Sequence, residues 1–309
     1  MGTPDFAIPS LKALALEHEI IAVYTQPDRP SGRGNHLTAS PIKSEALKMG
    51  IPVFQPEKLT LPGEFEKLQI LKPDFIVVVA YGQILKKNVL ELPSLGCINI
   101  HGSLLPRWRG AAPIHWSIMG GDKETGVTTM HMAEKLDAGD MLLSKAIQIG
   151  DQETVNKLHD RMSVLGAELI LPTLAGLENK SLKGVHQNES LVTYASKITK
   201  EMSPLQWQSN SAVILERRIR ALNRWPGTTL KLEFAPEKKL FVRKSHVILG
   251  QFQFGKLIDY AGEIVLGTVE NGLILDRLQW EGKSEQSPAE FLNGLRGRKL
   301  EMPLGSVKQ

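Results

Sequence analysis

The sequence predicts an α/β fold in two parts, an open and mostly parallel sheet followed by a small β-barrel. Two observations lead there. Up to about residue 180, continuous apolar runs alternate with helical patterns, as expected of parallel strands covered on both faces. Beyond about residue 200, short strand-like runs are punctuated by Pro226-Gly227, Gly262 and Asn271-Gly272, the rhythm of a small barrel. The length agrees, because 309 residues make about two domains the natural expectation.

Taken in order, Gly2-Thr3-Pro4-Asp5 reads as the turn leaving a first strand and entering a helix over 6–17, and that first strand is missing. Ile20-Ile21-Ala22-Val23-Tyr24, Phe75-Ile76-Val77-Val78-Val79-Ala80 and Cys97-Ile98-Asn99-Ile100 read as buried strands. Between them, Ser40-Pro41 opens a helix ended by Gly50, and residues 64–71 form another. Residues 125–133 and 141–149 alternate around the turn Asp137-Ala138-Gly139-Asp140, which predicts a hairpin. Residues 154–177 form a long amphipathic helix, and 178–199 lose all rhythm and suit a surface linker. After a helix over 212–222, strands are expected at 228–234, 240–247, 263–269 and 273–278. The architecture is therefore a Rossmann-like sheet lacking its first strand, then an OB-like barrel. The expected divisions are a catalytic domain over 1–180, a linker over 181–200 and a basic barrel over 201–309.

Composition bounds the function. Hydrophobic residues at 42% and charged residues at 23% are ordinary globular values. No run approaches the roughly 18 apolar residues of a membrane span, and the start has neither the basic flank nor the apolar core of a signal peptide. Cys97 is the only cysteine, so neither an intrachain disulfide nor a cysteine metal cluster is possible. These features fit a cytoplasmic protein without membrane contact. Of 37 basic and 33 acidic residues, 21 of each lie in 1–200, so the whole surplus of four falls in 201–309. A basic back half suits a polyanionic partner, although uneven solvation gives the same count.

The densest chemistry lies between Asn99 and Pro113, at the carboxyl end of a buried strand, where open α/β sheets place their ligands. Asn99 and His101 are two apart on an extended strand and share a face. An amide donor beside an imidazole serves attack on a carbonyl: the amide steadies the oxyanion and the imidazole moves protons. Asp137, in a glycine-containing turn, completes the set by orienting His101 or by taking the amine proton through water. Each residue alone also has a structural reading, as a strand-end amide, a turn cap and a turn former. Other chemistries fit worse. There is no G-x-S-x-G elbow, no H-x-x-x-H pattern, no G-x-G-x-x-G and no Walker A. No metal is expected.

Five segments carry a resemblance: Gly2 to Ala7, Thr25 to Gly34, Val78 to Gly82, Asn99 to Pro113 and Leu136 to Met141. Together they resemble the methionyl-tRNA formyltransferases, the tRNA-acting branch of the formyltetrahydrofolate-dependent transferase family. The likeness runs over essentially the whole chain, including Thr193-Tyr194-Ala195-Ser196-Lys197. It implies transfer of a formyl group from 10-formyltetrahydrofolate, as co-substrate, to the amine of initiator Met-tRNA, in a bacterial or organellar setting and by a monomer. Asn99, His101 and Asp137 match the family's catalytic trio, which forms no covalent enzyme intermediate. Ser103, Leu104, Leu105 and Pro106 match one wall of the folate pocket, and Val79, Ala80, Tyr81 and Gly82 match the other. The 26–40 loop, with Arg29 and Arg33, resembles the insertion that reaches the tRNA acceptor end. Arg107 and Arg109, flanking Trp108, could contact nucleic acid or cover the folate site. Arg217, Arg220 and Arg224 share one helical face and are expected to track phosphates. In the family an apolar strand precedes the Gly-Thr-Pro turn, and glutamine often stands at the positions of His115 and His131. Two rival readings remain, a relative acting on a small amine or on formyl-folate, and an inert tRNA-binding protein.

Overall fold

The computed structural model describes residues 1–31, 36–223, 225–295 and 302–303. The chain forms two compact units, one of Met1–Pro113, Glu124–Gln148 and Lys157–Ala195, the other of Ile114–Lys123, Ile149–Asn156 and Ser196 onward.

In the first unit, β1 (Val23–Tyr24) pairs in parallel with β2 (Val53–Phe54), and β3 (Ile76–Val78) pairs in parallel with β4 (Cys97–His101). The strand expected over 20–24 shortens to Val23–Tyr24, because only those two residues find partners on β2. The main chain of Met1 and Gly2 lies between the two pairs. Val79 N donates to Met1 O at 2.9 Å and Gly2 N donates to Tyr24 O at 3.0 Å. A short β5 (Arg109–Gly110) precedes the predicted hairpin, which is β6 (Glu124–His131) and β7 (Met141–Gln148). The hairpin adds antiparallel strands beside β4, giving the order β3-β4-β6-β7 and a mixed sheet. Helices Ile8–Glu17, Pro41–Lys48 and Val155–Glu178 fall where periodicity places them. Ser40 caps the second as expected, its Oγ accepting from Lys43 N at 3.2 Å.

A core cluster of Tyr24, Leu68, Ile76, Val78, Tyr81 and Cys97 packs around β3 and β4. Burial pushes the Cys97 thiol up to about 12, so this lone cysteine is an inert apolar filler. Residues 181–195, read as part of a linker, remain with the first unit: Val185 pairs with Met141, and β8 (Tyr194–Ala195) pairs in parallel with β5.

The second unit is β-rich. Strands β9 (Thr228–Leu232), β10 (Ala235–Ile248), β11 (Lys256–Tyr260), β12 (Glu263–Gly267), β13 (Gly272–Trp280) and β14 (Met302–Pro303) form one sheet. Its order is β9-β10-β13-β12-β11-β14, curled into a half-barrel. Helix Ala212–Ala221 lays Ala212, Leu215 and Ile219 onto the sheet's apolar face beside Leu230, Leu240 and Leu275. That spacing of three and seven positions gives the helix one buried stripe. Sequence patterning missed β11 and the helix Pro288–Gly294, which a Ser287–Glu290 capping box starts.

Candidate active site

Parallel pairing of β3 with β4 brings the segments after both strands to one edge of the sheet. Asn99 lies opposite Val78, and His101 stands two residues on, so both side chains leave the same face. His101 is 5% exposed, whereas Asn99 is only partly buried. The Asn99 amide makes no hydrogen bond among the described residues, which leaves it available to an incoming group.

His101 Nε2 lies 3.0 Å from the Trp108 carbonyl oxygen. A carbonyl only accepts, so that ring nitrogen carries a proton, and in the neutral imidazole Nδ1 has the free lone pair. Nδ1 faces Asp137 Oδ1 at 3.8 Å. The other carboxylate oxygen, Oδ2, accepts from Gly110 N at 2.8 Å. The imidazole and the carboxylate thus converge, on the face of β4 that also carries the Asn99 side chain. Three non-glycine residues around them have left-handed backbone, Ala80 at φ 48°, Trp108 at φ 64° and Asp137 at φ 49°. Each such residue costs about 1 kcal/mol or more, and such strain clusters at functional sites.

The two expected ligand walls stand on adjoining strand ends. In 79–82, Val79 and Tyr81 are buried, and the Tyr81 carbonyl accepts from Thr3 Oγ1 at 2.9 Å and Gln26 Nε2 at 3.2 Å. Ala80 and Gly82 are exposed. In 103–106, buried Ser103 donates from Oγ to Arg107 O at 2.6 Å, and Leu105 N donates to Thr128 Oγ1 at 3.2 Å. Leu104 and Pro106 are partly exposed. These bonds fix both walls while apolar atoms remain for contact, which suits a flat heterocycle.

The basic residues separate into distinct environments. Arg29 lies in an antiparallel pair, Arg29–Ser31 with His36–Thr38, and meets Glu57 at 3.2 Å with its side chain 64% exposed. The exposed Arg107 guanidinium sits 4.3 Å over the Trp108 ring. Arg109, expected at a nucleic-acid surface, is instead 0% exposed, donating from Nε to Gln187 Oε1 and from Nη2 to Glu189 Oε1. Arg220 is likewise turned inward in the second unit, onto Glu216 and the Glu153 carbonyl. Charge along a helical face did not reveal that an i,i+4 carboxylate would claim it. Half-buried Arg217 rests against Gly121. Arg33 and Arg224 lie outside the described residues.

Sequence reasoning missed Gln187, Glu189 and Thr193. Thr193 accepts from Trp108 N at its hydroxyl and from Arg109 N at its carbonyl, both at 2.9 Å. Only the Thr193–Lys197 likeness hinted that this stretch mattered. Among the described residues, no group of three or more His, Cys, Asp and Glu is placed to hold a metal ion. No helix among them is long and apolar enough to cross a membrane.

Comparison with known proteins shows what the chain resembles as a whole. The formyl transferase family model matches residues 2–174, and the formyl transferase C-terminal domain model matches 197–296. The methionyl-tRNA formyltransferase of Hydrogenovibrio crunogenus is 52% identical over 94% of this chain and 93% of its own. That of Methylococcus capsulatus is 46% identical over 97% of each chain. Among solved structures, the sugar 3N-formyltransferase WlaRD, crystallised with dTDP and 5-N-formyl-THF, superposes with a TM-score of 0.66 at 18% identity. The match covers 92% of this chain and 97% of that one. At that identity the match speaks for the fold alone.

Proposed function

The chain belongs to the formyl transferase family, and on that footing we propose that it moves the formyl group of 10-formyltetrahydrofolate onto the free amine of methionyl-initiator tRNA. The relatives 42–52% identical over nearly the full chain are methionyl-tRNA formyltransferases. The observation that carries the chemistry is the approach of Asp137 to His101, on the strand face that also carries Asn99.

In this reading the substrate amine attacks the formyl carbon. Asn99 donates to the formyl oxygen as negative charge builds there. His101 accepts the amine proton at Nδ1, and Asp137 stabilises the resulting imidazolium. The carbon–nitrogen bond to the carrier breaks as His101 returns the proton to the leaving nitrogen, with no covalent bond to the enzyme. The walls at 79–82 and 103–106 hold the carrier's ring. Arg29, Arg33 and Arg107 approach the acceptor end, and Arg217 and Arg224 meet the backbone. Buried Arg109 and partly buried Arg220 support these surfaces from beneath. The protein acts in the cytoplasm as a monomer.

The test offers labelled 10-formyltetrahydrofolate with Met-tRNA, an amino sugar and water side by side. Selective formation of formyl-Met-tRNA is expected. Preferential formylation of the sugar, or release of formate, would replace this reading with one of its rivals.

A further inference from the structure

We propose that Gln187 is a positioning residue, whose buried carboxamide holds the 137–139 turn so that the Asp137 carboxylate faces His101 and Gly110; this rests on the formyl-transfer reading of the site. Gln187 is 1% exposed. Its Nε2 donates to the carbonyls of Asp137 and Gly139, each at 2.8 Å. Its Oε1 accepts from Arg109 Nε at 2.9 Å. A flipped amide would aim oxygen at two carbonyls and nitrogen at an N–H, so only one orientation is satisfied.

These bonds close a ring. Arg109 Nη2 donates to Glu189 Oε1 at 2.8 Å, and Glu189 Oε2 accepts from Lys135 Nζ at 3.2 Å. Lys135 lies two residues before Asp137, and Gly110, next to Arg109, donates its N–H to Asp137 Oδ2. The guanidinium beside Glu189, then Lys135, holds that carboxyl below its usual range. Asp137 itself sits at φ 49°, a conformation that persists only where neighbours over-determine it. Gln187 supplies that determination by binding the carbonyls on both sides of Ala138. Its hydrogen-bond partners are Arg109, Asp137 and Gly139 and do not include His101, so it acts through Asp137.

Two substitutions separate positioning from bulk. Gln187→Leu removes all three bonds at similar volume. Gln187→Glu keeps an acceptor for Arg109 but puts oxygen against both carbonyls. Amide hydrogen exchange by NMR reads the carboxylate directly, because Gly110 N–H ends on Asp137 Oδ2. The adjoining amides of Arg109 and Ala111 end on Thr193 O and Ala195 O and serve as internal controls. In both variants Gly110 exchange should quicken about tenfold or more while the two controls stay within about twofold. The kcat for formyl transfer should fall about tenfold or more with KM for both substrates little changed.

Unchanged Gly110 exchange, or equal acceleration at all three amides, would overturn the proposal, the second by making Gln187 a general support of the fold. Unchanged kcat in an active enzyme would overturn it too. A wild-type protein that transfers no formyl group would sink the functional reading, and the exchange data would still decide whether Gln187 places Asp137.

Discussion

His101 Nδ1 and Asp137 Oδ1 lie 3.8 Å apart although one ends β4 and the other sits in the β6–β7 connection. That distance is too long for a hydrogen bond. It leaves the Nδ1 lone pair open while placing a carboxylate where an imidazolium would form. At an effective dielectric of about 20 the attraction to a protonated imidazole would be roughly 4 kcal/mol. In the proposed reaction the interaction would be stronger in the transition state than before it, which is the condition for raising kcat.

Asn99→Ala should lower kcat about a hundredfold or more, because one oxyanion donor is lost. KM for Met-tRNA should change little. Steady-state kinetics reads both, and a loss confined to KM would assign Asn99 to binding.

Gly110→Ala should disturb both fold and rate. A Cβ there would lie 2.5 Å from Ala195 O, and the residue sits at φ 123°. The clash should open the β5–β8 pairing and withdraw the N–H that holds Asp137, costing about 2–3 kcal/mol. Denaturant unfolding measures the first effect, and a kcat reduced about tenfold or more marks the second.

His131→Gln should flatten the acid side of the stability curve. Desolvation holds the His131 imidazole below its usual 6.5, with Asp140 opposing. The folded state therefore binds this proton less readily than the unfolded chain does. Between the lowered value and 6.5 the unfolded state carries more protons, so stability is lost as pH falls through that window. Glutamine has no proton to take up. Calorimetry at pH about 7.5 and about 5.5 should show a smaller fall in Tm for the variant. Parallel falls would show that His131 is not responsible.

Arg33→Ala should raise KM for Met-tRNA several-fold with kcat nearly constant, and the wild-type KM should climb with salt as phosphate contacts are screened. A KM indifferent to both changes would remove the 26–40 loop from tRNA recognition.

Much of the molecule was legible because its signals are local. Continuous apolar runs gave β3 and β4, Ser40 announced its helix, and the spacing of Asn99 and His101 put them on one face. Likeness to the family, more than any pattern, singled out Asp137 among many turn aspartates. The supporting ring was invisible. Gln187 meets Arg109 across 78 positions of chain, and a polar stretch gives no periodicity to follow. Burial of Arg109 escaped for the same reason, since its partners lie in a segment that reads as solvated. β11, Lys-Leu-Ile-Asp-Tyr, lacks clean alternation because the curled sheet exposes its far end.

The most direct measurement is single-turnover transfer of labelled formyl to Met-tRNA by wild type, Asn99→Ala, His101→Ala, Asp137→Asn and the triple variant. If the three groups act as one unit on one carbon, each single change should remove most of what the triple change removes, and the losses should fall far short of multiplying. Independent, multiplying losses, or a single variant at wild-type rate, would contradict a shared site built on Asn99, His101 and Asp137.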